Sequence, residues 1–302
     1  MPDENNATIN SAKSMGDLGA LLKKIYEARG YDFREYKTAS VERRIKKRLF
    51  EHHLETYEQY SALLDNDPEE YSKLFDTLLI NVSEFFRDPD AWDIIANEII
   101  PDILAKKKKG DAIRIWSAGC SSGEEPYSLA VLMSEKLGDA ITDYNVRIYA
   151  TDIDDKALGE ARRGVFPQDK LKNVREDLLN KYFIRENSFY KVQRNIRQMV
   201  TFGLLDLASD APISHVDMII CRNVLIYFKV DLQNRVVTKF HYAINKNGYI
   251  FFGKSESMLV GSNLFEPINK KWRIFEKIDG QSPSAHFNEK RPVYRQEQLK
   301  KD

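Results

Sequence analysis

At 302 residues the chain is long enough for one large or two ordinary domains, each with its own core. Lys plus Arg number 46 and Asp plus Glu 46, so the net charge is zero and excludes any global pull toward nucleic acid or anionic lipid. Cys120 and Cys221 lie far apart without a CxxC. With no signal peptide and no apolar run of transmembrane length, they set the expectation of reduced thiols in a cytoplasmic protein.

Residues 1–15 are polar and expected to be disordered. Residues 16–89 carry a helical pattern and predict an all-α N-terminal domain. Leu18, Leu21, Leu22 and Ile25 recur at helical spacing, as do Val41, Ile45 and Leu49, then Tyr71, Leu74, Phe75, Leu78 and Leu79. Asp67-Pro68-Glu69-Glu70 has the form of a helix start, with Pro at the first position and acids in the first turn. Residues 90–110 predict a linker helix that stops at four lysines and Gly110.

From Ile113 the texture changes to alternating strands and helices. IRIW, VRIYAT, MVTFGLL, VDMIIC, GYIFFG and WRIFEK are β-branched or aromatic runs. Helical stretches at Glu125–Leu137, Asp154–Arg162 and Asp231–Ile244 lie between several of them. The pattern predicts an α/β domain over residues 111–278 with a doubly wound parallel sheet. The last strands follow closely and predict an antiparallel addition at the sheet edge. Residues 164–200 break the pattern and predict a small inserted β-subdomain, with FYKV and NIRQMV forming a hairpin around Asn187-Ser188. Residues 279–302 are polar and expected to be disordered.

The segment IWSAGCSSGEEPYSLA, Ile115–Ala130, reads as a buried strand, a loop bearing Gly119, and a helix opening on two glutamates. The next strand, VRIYATDID, ends on Asp152. A glycine loop followed by an acid after the next strand suits a ligand with a ribose. The loop is not GxGxxG, and no Walker GxxxxGK[ST] occurs. S-adenosylmethionine, a nucleoside with a sulfonium and no phosphate, fits better than a dinucleotide or triphosphate. Each acid also has a structural reading. Glu124 and Glu125 favour a helix N-terminus, and Asp152 or Asp154 can cap the following helix. Cys120 has no His or second Cys beside it, so neither nucleophile nor metal ligand is expected there. His52, His53, His215, His241 and His286 show no metal-binding spacing, and no metal is expected.

NVSEFFRD (81–88), IWSAGCSSGEEPYS (115–128), ATDID (150–154) and CRNVLIYF (221–228) occur in that order. In these motifs the chain resembles the CheR family, bacterial chemotaxis-receptor glutamate O-methyltransferases, over residues 17–278. The resemblance implies a Rossmann-like class I methyltransferase domain with a small inserted β-subdomain, preceded by the all-α domain. It implies S-adenosylmethionine as cofactor and S-adenosylhomocysteine as product. It assigns Glu125 to the cofactor and leaves Glu124 open. It puts Arg87 in the active site and Tyr227 near the transferred methyl. It places Arg222 and Asn223 by the adenosine, and Asp206 and Leu207 beside the cofactor. Asn81 and Ser83 join Arg87 in one polar cluster, although the three are spaced too unevenly to share a helix face. The segment is expected to turn, with Ser83 capping a helix that starts near Glu84. The family often has Thr at the position of Ser83, and the hydroxyl is kept. Phe85 and Phe86 are expected to pack at the domain junction.

VERRIKKRLFEHH, residues 41–53, is the strongest basic stretch. Arg43, Arg44, Lys46, Lys47 and Arg48 are expected to be exposed. A solvated helix face, a nucleic-acid contact and a protein-docking face all suit such a helix. The resemblance favours docking on the helical bundle that carries the methylated glutamates of chemoreceptors. A methyltransferase acting on RNA and a non-catalytic cofactor-binding adaptor are the alternatives. A monomer is expected. The connection FIRENSFYKV, residues 183–192, has no glycine. Family members that bind a receptor C-terminal pentapeptide resemble one another in a longer, glycine-bearing loop. This chain is therefore expected not to need that tether.

Overall fold

Residues 18–79, 81–256 and 263–280 are described by the computed structural model. Most of both terminal segments read as disordered lies outside these residues. Two units are present: one takes residues up to Asn81 with Ile226–Gln233, the other Val82–Leu225 and the chain from Asn234 on.

The first unit is built from amphipathic helices: α1 (18–29), α2 (Thr38–Glu51), α3 (Tyr57–Asn66) and α4 (Pro68–Leu78). The apolar positions read at helical spacing form its core, including Leu21, Ile25, Val41, Ile45, Leu49, Leu74 and Leu78. Thr56 and Gln59 close a capping box at the start of α3. Asp67 caps α4 by accepting from the Glu69 N–H, with Pro68 at the first position.

The second unit begins with the irregular stretch from Val82 to Asp88. Helix α5 (Pro89–Ile94), a π turn (Ile95–Ile99) and α6 (Ile100–Ala105) follow as one run. This run was expected to be a linker. It is instead part of the sheet unit, because Ala91, Trp92, Ile95, Ile99, Ile100 and Ile103 share a core with Ile113, Ile115 and Ile148. Strand β1 (Ala112–Ala118), α7 (Glu124–Leu137), β2 (Asn145–Asp152) and α8 (Asp155–Arg163) come next. The inserted subdomain holds β3 (Val165–Pro167), α9 (Glu176–Tyr182), β4 (Phe183–Glu186) and β5 (Phe189–Val192). A short α10 (Arg194–Arg197), β6 (Val200–Leu204), β7 (Val216–Cys221), α11 (Val230–Ala243), β8 (Ile244–Phe252), β9 (Phe265–Asn269) and β10 (Ile274–Lys277) complete the order.

The large sheet has the order β6-β2-β1-β7-β8-β10-β9. Strands β6, β2, β1, β7 and β8 are parallel, and β10 is antiparallel to both β8 and β9. This is the Rossmann-like α/β sheet with an antiparallel edge that the alternation predicts. The strand order reverses between β1 and β7, and ligands of such sheets bind at the carboxyl ends beside that point. No helix among the described residues is long and apolar enough to cross a membrane.

The small sheet has the order β3-β5-β4. Its hairpin joins FIRE to FYKV, with Glu186 opposite Phe189 and Asn187 at φ 56°. The expected pairing of FYKV with NIRQMV is therefore wrong. Arg194–Arg197 coils into α10, and Val200 already belongs to the large sheet, because Ile196 and Val200 are needed in its core.

Candidate active site

Strand β1 ends at Ala118, and the chain turns through residues 119–123 into α7. Gly119, Ser121 and Gly123 have φ of 79°, 49° and 97°. A Cβ on Gly119 would lie 2.3 Å from Val224 Cγ2, so only glycine fits this turn. The loop is sewn to β2. The N–H groups of Gly119 and Cys120 donate to Thr151 O at 2.7 and 2.9 Å, and that of Ser121 to Asp152 Oδ2 at 2.7 Å. Asp152 Oδ1 accepts the Asp154 N–H at 3.0 Å. Each carboxylate oxygen retains further lone-pair capacity, so a half-buried Asp152 can still accept ribose hydroxyls. Burial raises its pKa, against the lowering pull of these backbone bonds. Asp154 takes the capping role, accepting from the N–H groups of Lys156 and Ala157. Asp152→Ala is expected to weaken S-adenosylmethionine binding more than tenfold, since a hydrogen bond to a charged group is worth roughly 1.5–3 kcal/mol. Unchanged affinity by titration calorimetry removes Asp152 from the site.

Glu125, in the first turn of α7, accepts from Ser117 Oγ at 2.8 Å. Its other oxygen lies 3.8 Å from Arg222 Nη1. Burial raises the Glu125 pKa, while the charges of Arg222 and Arg87 draw it down. Arg222 follows β7 and is 7% exposed. It is ion-paired with Asp88, stacks 4.6 Å from the Phe251 ring centre, and its buried Nε has no partner. Burial lowers its pKa. Asn223 comes next at φ 61°. Arg87, Asp88, Glu125 and Arg222 thus form one charged cluster. Arg87 Nη1 donates to Val82 O at 3.4 Å, and the Arg87 carbonyl accepts from Trp92 Nε1 at 3.0 Å.

Other candidates have local employment. Ser83 caps no helix: the stretch turns at Phe85-Phe86, Phe86 and Asp88 have positive φ, and helix begins only at Pro89. Pro89 is the physical reason, since it favours the first position of a helix over its interior. Asp206 Oδ1 accepts the Ala208 N–H and Oδ2 the Ser209 hydroxyl, so its carboxylate closes its own turn. The Leu207 carbonyl accepts from Lys239 Nζ. Glu124 is fully buried and accepts from Ser122 Oγ and from Lys170, a structural role. Burial pushes the Cys120 thiol well up, which opposes thiolate chemistry.

Glu256 escaped the sequence reading, because a lone acid after a strand carries no spacing signal. Its Oε1 accepts the Val224 N–H at 3.0 Å and its buried Oε2 has no partner, so it props the Arg222-Asn223 turn. Burial pushes its pKa up from 4.5 to about 7. The folded protein therefore holds this proton more tightly than the unfolded chain. The resulting stability is present below the ordinary glutamate range and is lost as pH rises through about 7. Between roughly pH 4 and 8 the parent should lose about 3 kcal/mol relative to Glu256→Gln. Parallel stability–pH curves for the two proteins would contradict this.

Asn81 and Tyr227 belong to the helical unit. There the Tyr227 carbonyl accepts the Lys37 N–H at 2.8 Å, and the Arg44 guanidinium stacks 5.2 Å from the Tyr227 ring centre. The basic patch needs correction. Arg43, Lys46 and Lys47 are exposed, but Arg44 also bonds the Leu78 carbonyl, and Arg48 is bound to the buried Glu70. Arg44 and Arg48 flank the buried stripe Val41-Ile45-Leu49, so their stems pack and their heads find inward partners.

The site residues fit S-adenosylmethionine. The loop is flanked by the acids Glu125 and Asp152, whose pKa values burial raises and whose negative charge suits a cationic ligand. The unpartnered Arg222 Nε offers a further donor. Among the described residues no group of three or more His, Cys, Asp or Glu could hold a metal ion.

Residues 81–274 match the family model "CheR methyltransferase, SAM binding domain", and residues 16–79 match "CheR methyltransferase, all-alpha domain". A "Putative methyltransferase Cher3" of Pseudomonas putida is 34% identical over 86% of this chain and 96% of its own length. A "Chemotaxis protein methyltransferase" of Borreliella burgdorferi is 32% identical, with 87% and 95% covered. The chain also spans 27% of the length of a 104.1 kDa protein of Rhodobacter capsulatus, at 31% identity over 86% of this chain. With both of its domain models matched in order, the chain belongs to the CheR methyltransferase family.

Proposed function

We propose that the chain transfers a methyl group to glutamate side chains of chemoreceptors, forming glutamyl methyl esters. The observation that carries this reading is the charged cluster of Arg87, Asp88, Glu125 and Arg222 beside the Gly119–Gly123 turn and Asp152. Glu125, Asp152, Arg222 and Asn223 would hold S-adenosylmethionine, which supplies a methyl activated on a sulfonium. An acceptor glutamate is ionised at neutral pH, with an unperturbed pKa of about 4.3, so no general base is needed. Arg87 orients that carboxylate without clamping it, since too tight a hold would favour the reactant. Alignment in a near-attack pose can supply roughly 7–11 kcal/mol. Neutralisation of both reactant charges favours a dry site. Labelled cofactor offered receptor-bearing membranes and RNA together should mark the receptor protein. Label in RNA would overturn the reading.

Receptor docking falls to Arg43, Lys46 and Lys47, with Phe50, 79% exposed, on the same α2 face. Reversing those three charges should lower receptor methylation at low salt and leave cofactor affinity unchanged, because exposed sites alter stability little. Normal methylation would mark the face as merely solvated. The tight Asn187 turn supports independence from the receptor pentapeptide, although β4 has no strand on its outer edge among the described residues. Micromolar pentapeptide binding by calorimetry would overturn that independence.

A further inference from the structure

The stretch Val82–Asp88 has no regular structure, yet it carries Arg87. Its first half, Ser83–Phe85, is held by the inserted subdomain, while Phe86, Arg87 and Asp88 are anchored to Ser128, Trp92 and Arg222. Lys170, in the turn after β3, donates through Nζ to the Ser83 carbonyl at 2.6 Å. Its own carbonyl accepts the Phe85 N–H at 3.2 Å. Lys172 pairs with Glu84 at 2.7 Å. The Phe85 ring sits edge-on to Phe166 of β3 at 4.9 Å and to Phe183 of β4 at 5.3 Å.

The same Lys170 ammonium lies 3.1 Å from Oε1 of Glu124, the fully buried first residue of α7. The Glu124 carbonyl accepts from Ser128 Oγ at 2.8 Å, and that hydroxyl oxygen accepts the Phe86 N–H at 3.0 Å. One cation therefore ties two pieces of chain that have no covalent reason to stay in register: the Arg87 stretch and the start of the helix that presents Glu125. An ammonium has three donors and no acceptor, so it suits a carbonyl and a carboxylate at once.

We infer that Lys170 is a positioning residue: it holds the Val82–Asp88 stretch against the start of α7 and so sets where Arg87 stands relative to Glu125. The inserted subdomain is then a working part of the active site. This rests on the reading of Arg87 as the residue that orients the substrate. Misplacing a reacting partner by about 1 Å can cost about 100-fold in rate.

The test compares Lys170→Met, Lys170→Arg, Lys170→Met with Glu124→Gln, and Arg87→Ala in the full chain, with receptor-bearing membranes as substrate. Lys170→Met should lower kcat roughly 10- to 100-fold with receptor KM changed less than about threefold. Lys170→Arg should recover most of the turnover. Adding Glu124→Gln removes the buried charge left unpaired, so it should restore thermal stability while kcat stays low. If Lys170→Met folds poorly, this double variant carries the measurement. Parental kcat in the folded double variant, beside an inactive Arg87→Ala, overturns the inference alone. Parental kcat in Arg87→Ala overturns the reading of that arginine and this inference with it.

Discussion

Glu70→Ala should destabilise the helical unit by about 3–5 kcal/mol, the range for removing one partner of a buried ion pair. The Glu70 side chain is fully buried in the first turn of α4. It accepts from Arg48 Nε at 2.8 Å and Nη2 at 2.5 Å, and from the Tyr60 hydroxyl at 2.7 Å, with His52 Nε2 at 3.0 Å. Burial alone would raise its pKa, but the bonds from Arg48 and Tyr60 carry it below the usual range. With the folded pKa depressed, its stabilisation is present above the ordinary glutamate pKa and is lost as pH falls through the folded value. Urea unfolding followed by helical circular dichroism measures the loss. An unfolding free energy within about 1 kcal/mol of the parent would mean that Arg48 and Tyr60 find other partners.

Arg87→Ala should cut turnover by about two orders of magnitude, the scale expected when a substrate-orienting group is lost. The fold should survive it. Arg87 makes one long bond through its side chain to the Val82 carbonyl, while its backbone carbonyl, which anchors Trp92, is untouched by the substitution. Melting near the parent with receptor methylation almost abolished is the expected pair of results. A large fall in melting temperature with normal specific activity in the folded fraction would make Arg87 structural.

The α/β sheet and the helical unit were legible because burial imposes periodicity. Ile113, Ile115 and Ile148 read as strand interior, and Val41, Ile45 and Leu49 as a helix stripe. The loop and Asp152 were legible because a turn at positive φ followed by an acid leaves a local signature. What stayed hidden was settled by tertiary contact. Nothing local says that Arg48 turns inward, since its partner Glu70 lies on another helix. Nothing local ties Lys170 to Ser83, or Glu256 to Val224. Residues 90–110 read as a linker because their apolar positions do not reveal which core receives them.

Alkali lability of the transferred methyl tests the central claim most directly. Receptor labelled from methyl-tritiated S-adenosylmethionine by this protein should release its label as volatile methanol in mild alkali, as a glutamyl ester must. Label that survives alkali on the receptor, as an N-methyl or ether linkage would, contradicts glutamate O-methylation.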